Sequence, residues 1–152
     1  MNVGDVVPDF ELPDQGGVPR KLSDFLAKGP VVLFFYPGAM TPVCTAESCH
    51  FRDLKSEYEA VGAQRLGISH DQVAKQKTFA DKYGFDYPLL SDSDNKVAAI
   101  FGVHRSPLLG GTKRETFVID RDGRVLEVVK SALRASRHGD KALEFLKARA
   151  AT

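Results

Sequence analysis

The feature that most limits what this chain can fold into is an unbroken apolar run at 31–36, which reads VVLFFY and is closed by Pro37 and Gly38. A strand with one wet face alternates apolar and polar residues, whereas a strand that is apolar at every position is buried on both faces. Such a strand needs helices on both sides of its sheet. The run is also far shorter than the roughly 20 apolar residues that cross a bilayer. The sequence therefore predicts a layered α/β protein built around this strand.

Strand and helix patterns alternate along the rest of the chain, which predicts a mixed central β-sheet flanked by helices. The predicted strands are 10–12, 20–22, 31–36, 65–69, 87–90, 117–120 and 125–129. A short helical turn is predicted through Leu26, and longer helices are predicted at 43–61, at 71–83, from residue 93 or 94 to Gly102, and at 140–148. The first two strands flank a turn sequence at 14–17 and form an N-terminal β-hairpin. In the helix that ends at Gly102, apolar spacing predicts a buried face of Val97, Ile100 and Phe101.

Composition is typical of a compact protein with a single domain, residues 1–152. The two cysteines, Cys44 and Cys49, are too few for a secreted disulfide scaffold. The net charge is +1, from 21 basic and 20 acidic residues, which argues against a surface for nucleic acid or membrane. Residues 1–15 lack the basic region and the apolar stretch of a targeting signal. We therefore expect a cytoplasmic protein with free thiols that binds neither nucleic acid nor membrane.

Cys44 follows the buried strand and lies in the first turn of the predicted 43–61 helix. Unpaired backbone N–H groups and the positive end of the helix dipole meet there, so a thiolate is favoured over a thiol. A partly exposed thiolate attacks peroxides and disulfides. The simpler interpretation is a small buried hydrophobic residue, which is the commonest role of a free cysteine. Position alone leaves both interpretations open.

Thr41 and Cys49 lie on either side of Cys44 and bear on its chemistry. Thr41, three residues before Cys44, places its hydroxyl near the thiolate, or else it serves only as the N-cap of the helix. Cys49 comes five residues after Cys44, which on an intact helix separates the two Cα atoms by roughly 8–9 Å. A disulfide needs a separation of about 4.4–6.8 Å. A Cys44–Cys49 disulfide therefore requires the helix to unwind locally.

Metal binding is another interpretation of the two cysteines, with His50 as a third ligand. The C-x4-C-H spacing has no second ligand pair at zinc-finger distance, so we expect no metal and no other cofactor. The remaining histidines, His70, His104 and His138, belong to no recognisable constellation. They are interpreted as surface or structural residues.

Taken together, these residues resemble the peroxiredoxins. The family motif P-x-x-x-T-x-x-C is filled by Pro37, Thr41 and Cys44. The bacterioferritin-comigratory protein or peroxiredoxin Q subgroup is the most similar, because its atypical arrangement places the second cysteine in the same helix, as Cys49 is here. Further similar stretches are 4–10, 36–37, 40–42, 44–45, 51–53, 67–69 with Asp71, 89–92, 101–103 and 114–120, so the similarity covers nearly the whole chain.

The resemblance implies a thioredoxin-like fold with an N-terminal extension, and reduction of hydrogen peroxide and organic hydroperoxides by thiol chemistry without a cofactor. It implies that Cys44 is the peroxidatic thiolate, that Thr41 binds the thiolate and the peroxide, and that Pro37 shields the site from water. Arg114 would stabilise the thiolate and the developing negative charge. Cys49 would resolve the sulfenic acid into an intramolecular disulfide, which thioredoxin or a similar dithiol protein then reduces.

Two other functions stay open at this point. The main alternative is a thioredoxin-like disulfide carrier or exchange protein, although such carriers usually show C-x-x-C rather than C-x4-C. The other is a thioredoxin-fold binding module whose thiols are inert. The segment 104–113 is shorter than its counterpart in the subgroup, so contacts between subunits are open, and we expect a monomer with a dimer as the alternative. Glu47 is expected to have only a supporting polar role.

Overall fold

The computed structural model describes residues 1–105, 112–131 and 134–150, so most of the 104–113 segment lies outside the described residues. In chain order the elements are β1 (Glu11–Pro13), β2 (Pro19–Lys21), α1 (Leu22–Leu26), β3 (Val31–Phe35), α2 (Pro42–Asp53), α3 (Lys55–Ala60), β4 (Gln64–Ser69), α4 (Val73–Tyr83), β5 (Leu89–Ser91), α5 (Lys96–Phe101), β6 (Glu115–Ile119), β7 (Val125–Lys130) and α6 (Ala135–Ala150). This order agrees with the predicted alternation of strands and helices.

Five strands form the central sheet in the order β5-β4-β3-β6-β7. β3 pairs in parallel with β4 on one side and antiparallel with β6 on the other, so that Phe35 lies between Ile68 and Glu115. β5 continues the parallel half of the sheet, and β7 continues the antiparallel half. The predicted mixed sheet, with the apolar run at its centre, is confirmed.

The side chains of β3 divide between two apolar clusters, one on each face of the sheet. Val31, Leu33 and Phe35 belong to the cluster that α1 and α5 cover. Val32 and Phe34 belong to the cluster that α2, α4 and α6 cover. Each residue of the strand is at most 1% exposed. The absence of polar alternation in this strand therefore follows from helices on both faces.

The predicted N-terminal hairpin is also confirmed, with both strands shifted by one residue. β1 and β2 pair antiparallel, with Leu12 opposite Arg20. Asp14 organises the turn, because its Oδ1 accepts hydrogen bonds from the N–H groups of Gly16 and Val18. Its Oδ2 binds the Arg20 guanidinium at 3.0 Å, so one carboxylate closes the turn and ties it to the second strand.

The predicted 43–61 helix is in fact two helices, α2 and α3, which meet at Leu54. Leu54 has φ −90° and ψ 16°, and its N–H is shared between the carbonyls of His50 and Phe51. The regular helical path is interrupted there. Sequence periodicity missed the break because Phe51 and Tyr58, both fully buried, keep helical spacing on either side of it.

Two further helices differ from the prediction. In α5 the predicted apolar face is wrong at Ile100, which is 39% exposed because the buried side of the helix turns toward Ala98 instead. α6 begins at Ala135, five residues before the predicted start at 140. The polar stretch at its beginning conceals two buried residues, His138 and Gly139. At Gly139 a side chain would come within 3.0 Å of Leu54 and 3.2 Å of His50, so α6 packs closely on α2.

Candidate active site

The site lies where β3 ends and α2 begins, at the carboxyl end of the central strand, where ligand sites of α/β sheets usually occur. Asp71 holds the connecting loop, because its Oδ2 accepts the N–H of Ala39 at 2.6 Å and the hydroxyl of Ser69 at 2.7 Å. The tight path leaves Met40 with φ 69°, a left-handed conformation that costs a non-glycine residue about 1 kcal/mol. The sequence predicts Asp71 as a helix start and as part of the family resemblance; α4 in fact begins at Val73, and the role of Asp71 in positioning the loop was missed.

Pro37 and Thr41 lie at the two ends of this loop. Pro37 lies two residues after the end of β3 and is half-buried. Thr41 is at the N-cap position of α2, but its hydroxyl donates to the Gly38 carbonyl at 2.7 Å and makes no capping bond to the helix. The alternative in which Thr41 serves only as a side-chain N-cap is therefore wrong. Its hydroxyl oxygen keeps lone pairs that can accept a hydrogen bond from another group.

Cys44 lies in the first turn of α2 and is 1% exposed. The first hydrogen bond of the helix runs from the N–H of Thr45 to the carbonyl of Thr41, so the N–H of Cys44 has no acceptor within the helix. The positive end of the helix dipole lies here and favours a negative charge on the sulfur. The rings of Phe34 and Phe51 stack with 4.1 Å between centroids, and this contact fixes α2 against β3.

Arg114 reaches Cys44 from the neighbouring strand, 70 residues later in the chain. Because Phe35 is opposite Glu115, the residue that precedes β6 lies at the end of β3. The Nη2 of Arg114 donates to the Cys44 sulfur at 3.1 Å, and its Nη1 donates to Glu47 Oε1 at 2.7 Å. A cation at this distance stabilises a thiolate relative to a thiol. The sheet register thus places a positive charge beside the Cys44 sulfur.

Glu47 is fully buried, three residues after Cys44 on α2. Burial raises the pKa of Glu47 to about 8, and the neighbouring Arg114 opposes that rise. Its Oε2 has no hydrogen-bond partner among the residues that the structure describes, and it lies 3.7 Å from Nδ1 of His138. The sequence predicted only a supporting polar role, whereas the structure places this carboxyl in a buried salt bridge with Arg114.

His138, on α6, is fully buried behind this salt bridge. Its Nε2 is 2.8 Å from the carbonyl of Ser131, and its Nδ1 is 2.7 Å from the hydroxyl of Thr116. Burial lowers the pKa of His138, and the charges of Arg114 and Arg137 act in the same direction. Of the predicted surface or structural roles, the structure agrees with the structural one, since His138 is buried and hydrogen-bonded; its position beside this salt bridge was not predicted.

A signal for the burial of His138 does exist in the sequence. The buried residues Ala142 and Leu146 follow it on α6 at steps of four. The apolar stripe of this helix therefore leads back to the histidine. What the pattern does not reveal is which residues of the sheet lie opposite that stripe.

Cys49 lies further along α2, half-buried at the edge of the cluster that α2, α4 and α6 cover. Burial raises the pKa of its thiol, and the charge of Arg52 opposes that rise. Both cysteines are free thiols, and α2 is continuous across them. Five residues of unbroken helix separate their Cα atoms by roughly 8–9 Å, which exceeds the separation that a disulfide needs.

Two buried side chains hold the carbonyls of α2 on either side of Cys49. The Tyr87 hydroxyl donates to the Ser48 carbonyl at 2.6 Å. Arg65 of β4 donates to the Phe51 carbonyl at 2.8 Å through Nη1. Both bonds stabilise the helical form of α2, and unwinding this part of the helix breaks them.

The structure does not place His50 in a group of metal ligands among the described residues. Its Nε2 instead pairs with the Oδ1 of Asp140, on α6, at 2.7 Å. Within residues 1–105, 112–131 and 134–150, no group of three or more His, Cys, Asp or Glu side chains is placed to hold a metal ion. In the part of the chain that the structure describes, no helix is both long and apolar enough to cross a membrane.

The fold and the thiol site together define a family. A model of the AhpC/TSA family matches residues 3–128, a range that includes both cysteines and Arg114. The chain therefore belongs to the AhpC/TSA family of peroxiredoxins.

Individual relatives indicate the subgroup of the family to which this chain is similar. The crystal structure of peroxidoxin BcpB from Mycobacterium tuberculosis is 59% identical, with a TM-score of 0.93 over 97% of each chain. The chloroplastic peroxiredoxin Q of Arabidopsis thaliana is 42% identical over 148 residues, which are 97% of this chain and 68% of the relative. The bacterioferritin comigratory protein of Xanthomonas campestris is 33% identical, with a TM-score of 0.84 over 93% of this chain and 92% of that one.

These similarities confirm the predicted family and the thioredoxin-like fold. Peroxiredoxins of this subgroup are thiol-dependent peroxidases, oxidoreductases that use thioredoxin-type reductants. The predicted peroxidase function is confirmed at the level of the family. The family also implies a peroxide substrate.

Proposed function

We propose that Cys44 is the peroxidatic thiol of this peroxidase and that Cys49 is its resolving partner. The observation that carries the proposal is the contact between the Arg114 guanidinium and the Cys44 sulfur, at 3.1 Å. This charge and the N-terminus of α2 both favour a thiolate at that position. Burial raises the pKa of the Cys49 thiol, which disfavours its thiolate form.

In the first step the Cys44 thiolate attacks the terminal oxygen of a hydroperoxide. An S–O bond forms while the O–O bond breaks, and the departing oxygen leaves with the electron pair and takes up a proton to become water or an alcohol. The sulfur is oxidised to sulfenic acid. Arg114 and the N–H of Cys44 stabilise the negative charge as it moves from sulfur to the departing oxygen. Thr41 binds the peroxide through its hydroxyl, and Pro37 limits the access of water.

In the second step the Cys49 thiol attacks the sulfenic sulfur. The S–S bond forms, and the sulfenic oxygen leaves as water. Because the intact helix keeps the two Cα atoms too far apart, α2 unwinds locally, and the bonds from Tyr87 and Arg65 to its carbonyls break. A dithiol protein such as thioredoxin then reduces the disulfide by thiol exchange, and both thiols are regenerated.

The proposed substrates are hydrogen peroxide and organic hydroperoxides. The X. campestris relative has alkyl peroxide reduction activity, and the net charge of +1 suits small uncharged substrates. We also propose a cytoplasmic location, because two cysteines are too few for a secreted disulfide scaffold and suit a reducing compartment. The expected monomer stays a prediction, which analytical ultracentrifugation tests.

Rapid-quench mass spectrometry of the reduced protein mixed with hydrogen peroxide tests these roles, and it suits a chain that has no tryptophan for fluorescence. We expect Cys44 to be oxidised orders of magnitude faster than free cysteine, and Cys44→Ser to abolish the reaction. Cys49→Ser retains the first oxidation and loses turnover with thioredoxin. A rate no faster than that of free cysteine would overturn the role of Cys44. Turnover of Cys49→Ser with thioredoxin would overturn the role of Cys49.

A further inference from the structure

A cluster of three buried side chains from three different elements lies behind Arg114. Glu47 comes from α2, Thr116 from β6 and His138 from α6, and none of them is exposed to solvent. The Thr116 hydroxyl is 2.7 Å from His138 Nδ1, and Glu47 Oε2 is 3.7 Å from the same nitrogen. The cluster is connected to the reactive sulfur through Arg114, which contacts both Glu47 and Cys44.

The surroundings of His138 determine where its protons are. A carbonyl oxygen only accepts hydrogen bonds, so the Nε2 that faces Ser131 at 2.8 Å carries a hydrogen. Nδ1 faces the Thr116 hydroxyl, which either donates or accepts. The imidazole can therefore bind or release a proton at Nδ1 without any change in its contacts.

The surroundings of the Glu47 carboxyl also favour binding of a proton. Its Oε1 accepts from Arg114, but its Oε2 has no hydrogen-bond partner among the described residues. Leaving a buried polar atom unpaired costs on the order of 1–3 kcal/mol, and more when the group is charged. A proton on Oε2 makes the carboxyl neutral, and a proton on Nδ1 of His138, 3.7 Å away, places a positive charge beside the carboxylate; either one lowers that cost.

The charges around this cluster limit how many protons can leave it. Two buried acids, the Cys44 thiol and the Glu47 carboxyl, contact the same Arg114 guanidinium. Two neighbouring anions raise each other's energy, so ionisation of one opposes ionisation of the other. The ionisable groups that act on the His138 ring are Glu47 from α2, Arg114 before β6 and Arg137 from its own helix. Ser131 and Thr116 add uncharged partners.

We propose that His138 is a positioning residue for the peroxidase reaction: together with Glu47 it binds one proton when Cys44 is a thiolate, so that the Arg114 charge acts on the sulfur. As the thiolate forms, the S–H bond of Cys44 breaks and an O–H bond at Glu47 Oε2, or an N–H bond at His138 Nδ1, forms. The site keeps the same number of protons and its overall charge. The proposal rests on the assignment of Cys44 as the reacting thiol.

Thiolate absorbance against pH tests the proposal without peroxide, so its failure is distinguishable from a failure of the peroxidase assignment. In a Cys49→Ser background only Cys44 contributes. We expect His138→Asn to raise the midpoint of thiolate formation by about one pH unit, a tenfold change in the ionisation constant. The matched control His50→Asn alters a half-buried histidine of α2 that pairs with Asp140, and it leaves the midpoint unchanged.

The decisive comparison repeats His138→Asn in a Glu47→Gln background. A glutamine cannot share the proton with His138, so the substitution at His138 then shifts the midpoint by less than it does in the parent. An equal shift in both backgrounds, or no shift in the parent, overturns the proposal, because a purely structural role would act in both.

A second experiment leaves the cluster intact and decides the question even if His138→Asn does not fold. Nitrogen-labelled histidine and carboxyl-labelled glutamate are followed by NMR across pH in Cys49→Ser, with and without Cys44→Ser. Serine carries no charge, so the Glu47–His138 pair is expected to lose its proton at lower pH once Cys44 is absent. Identical titrations of the pair in the two proteins overturn the proposal.

Discussion

The two thiols of α2 occupy opposite surroundings although only five residues separate them. Cys44 is almost completely buried, yet a guanidinium lies 3.1 Å from its sulfur at the positive end of the helix. Cys49 is more exposed, but burial raises the pKa of its thiol, with Arg52 opposing the rise only in part. Exposure alone would rank Cys49 as the more reactive thiol. If Cys44 attacks first, as proposed, then the charged Arg114 just before β6, rather than contact with solvent, distinguishes the two sulfurs.

Replacing Arg114 removes what distinguishes Cys44 from Cys49 and has the largest expected effect. In Arg114→Leu the rate constant for oxidation of Cys44 falls by about 100- to 1,000-fold, which is typical of losing one donor that stabilises developing charge. Arg114→Lys keeps the charge but cannot contact Cys44 and Glu47 at once, so it recovers only part of the rate. Rapid-quench mass spectrometry in the Cys49→Ser background measures both variants. An unchanged rate in Arg114→Leu would contradict the comparison.

Comparing Glu47→Gln with the parent measures how much the ionised Glu47 carboxylate, buried near Cys44 on α2, lowers the free energy of unfolding. Burial raises the pKa of Glu47 from 4.5 to about 8, so between these values the folded protein holds a proton that the unfolded chain releases. The stability of the parent therefore falls relative to Glu47→Gln as pH rises through that window, by at most roughly 1.4 kcal/mol per pH unit. Urea unfolding of both proteins from about pH 5 to about pH 8 measures the difference.

The histidine of the cluster does not reverse this expectation. The pKa of His138 is lowered from 6.5 by burial, so its contribution has the opposite sign and stability rises with pH below 6.5. Because His138 is present in both proteins, its contribution largely cancels in the difference. Parallel stability curves for the parent and Glu47→Gln would show that Glu47 ionises at its ordinary pH.

Tyr87→Phe acts on the Cys49 half of α2 and has the smallest expected effect. The substitution removes one buried hydrogen bond to the Ser48 carbonyl, which lowers the stability of helical α2 by about 1 kcal/mol. Because α2 then unwinds more readily, we expect disulfide formation after oxidation to be about fivefold faster. Oxidation of Cys44 itself keeps its rate. The matched control is Tyr83→Phe, on α4, which leaves the Ser48 bond in place. Equal disulfide rates in the two variants would show that this bond does not hold α2 closed.

The features that the sequence predicts correctly depend on patterns of residues that lie close together in the chain. The apolar run at 31–36 and the following Pro42 are enough to place β3, the loop and the start of α2. Pro37, Thr41 and Cys44 lie close together for the same reason, since a few residues of one turn contain them all. The break at Leu54 was missed because periodicity continues through it.

The polar part of the site depends on contacts that no local pattern contains. Arg114 was singled out only through the family resemblance, because nothing near it distinguishes it from a surface charge. It reaches Cys44 through the antiparallel register of β3 and β6. His138 joins Glu47 only because α6 packs on α2 next to Gly139. These contacts form only in the tertiary structure, and no local sequence pattern predicts them.

The close packing of α6 on α2 at Gly139 has a consequence for the choice of reductant. If α2 unwinds as proposed to join its thiols, we expect Gly139 to lose its contacts with Leu54 and His50, and the pair of His50 and Asp140 to break. The surface of the oxidised enzyme would then differ from that of the reduced one. A dithiol protein that binds the oxidised surface would lose this binding site when the disulfide is reduced and α2 refolds. We therefore expect refolding of the helix to promote release of the reductant.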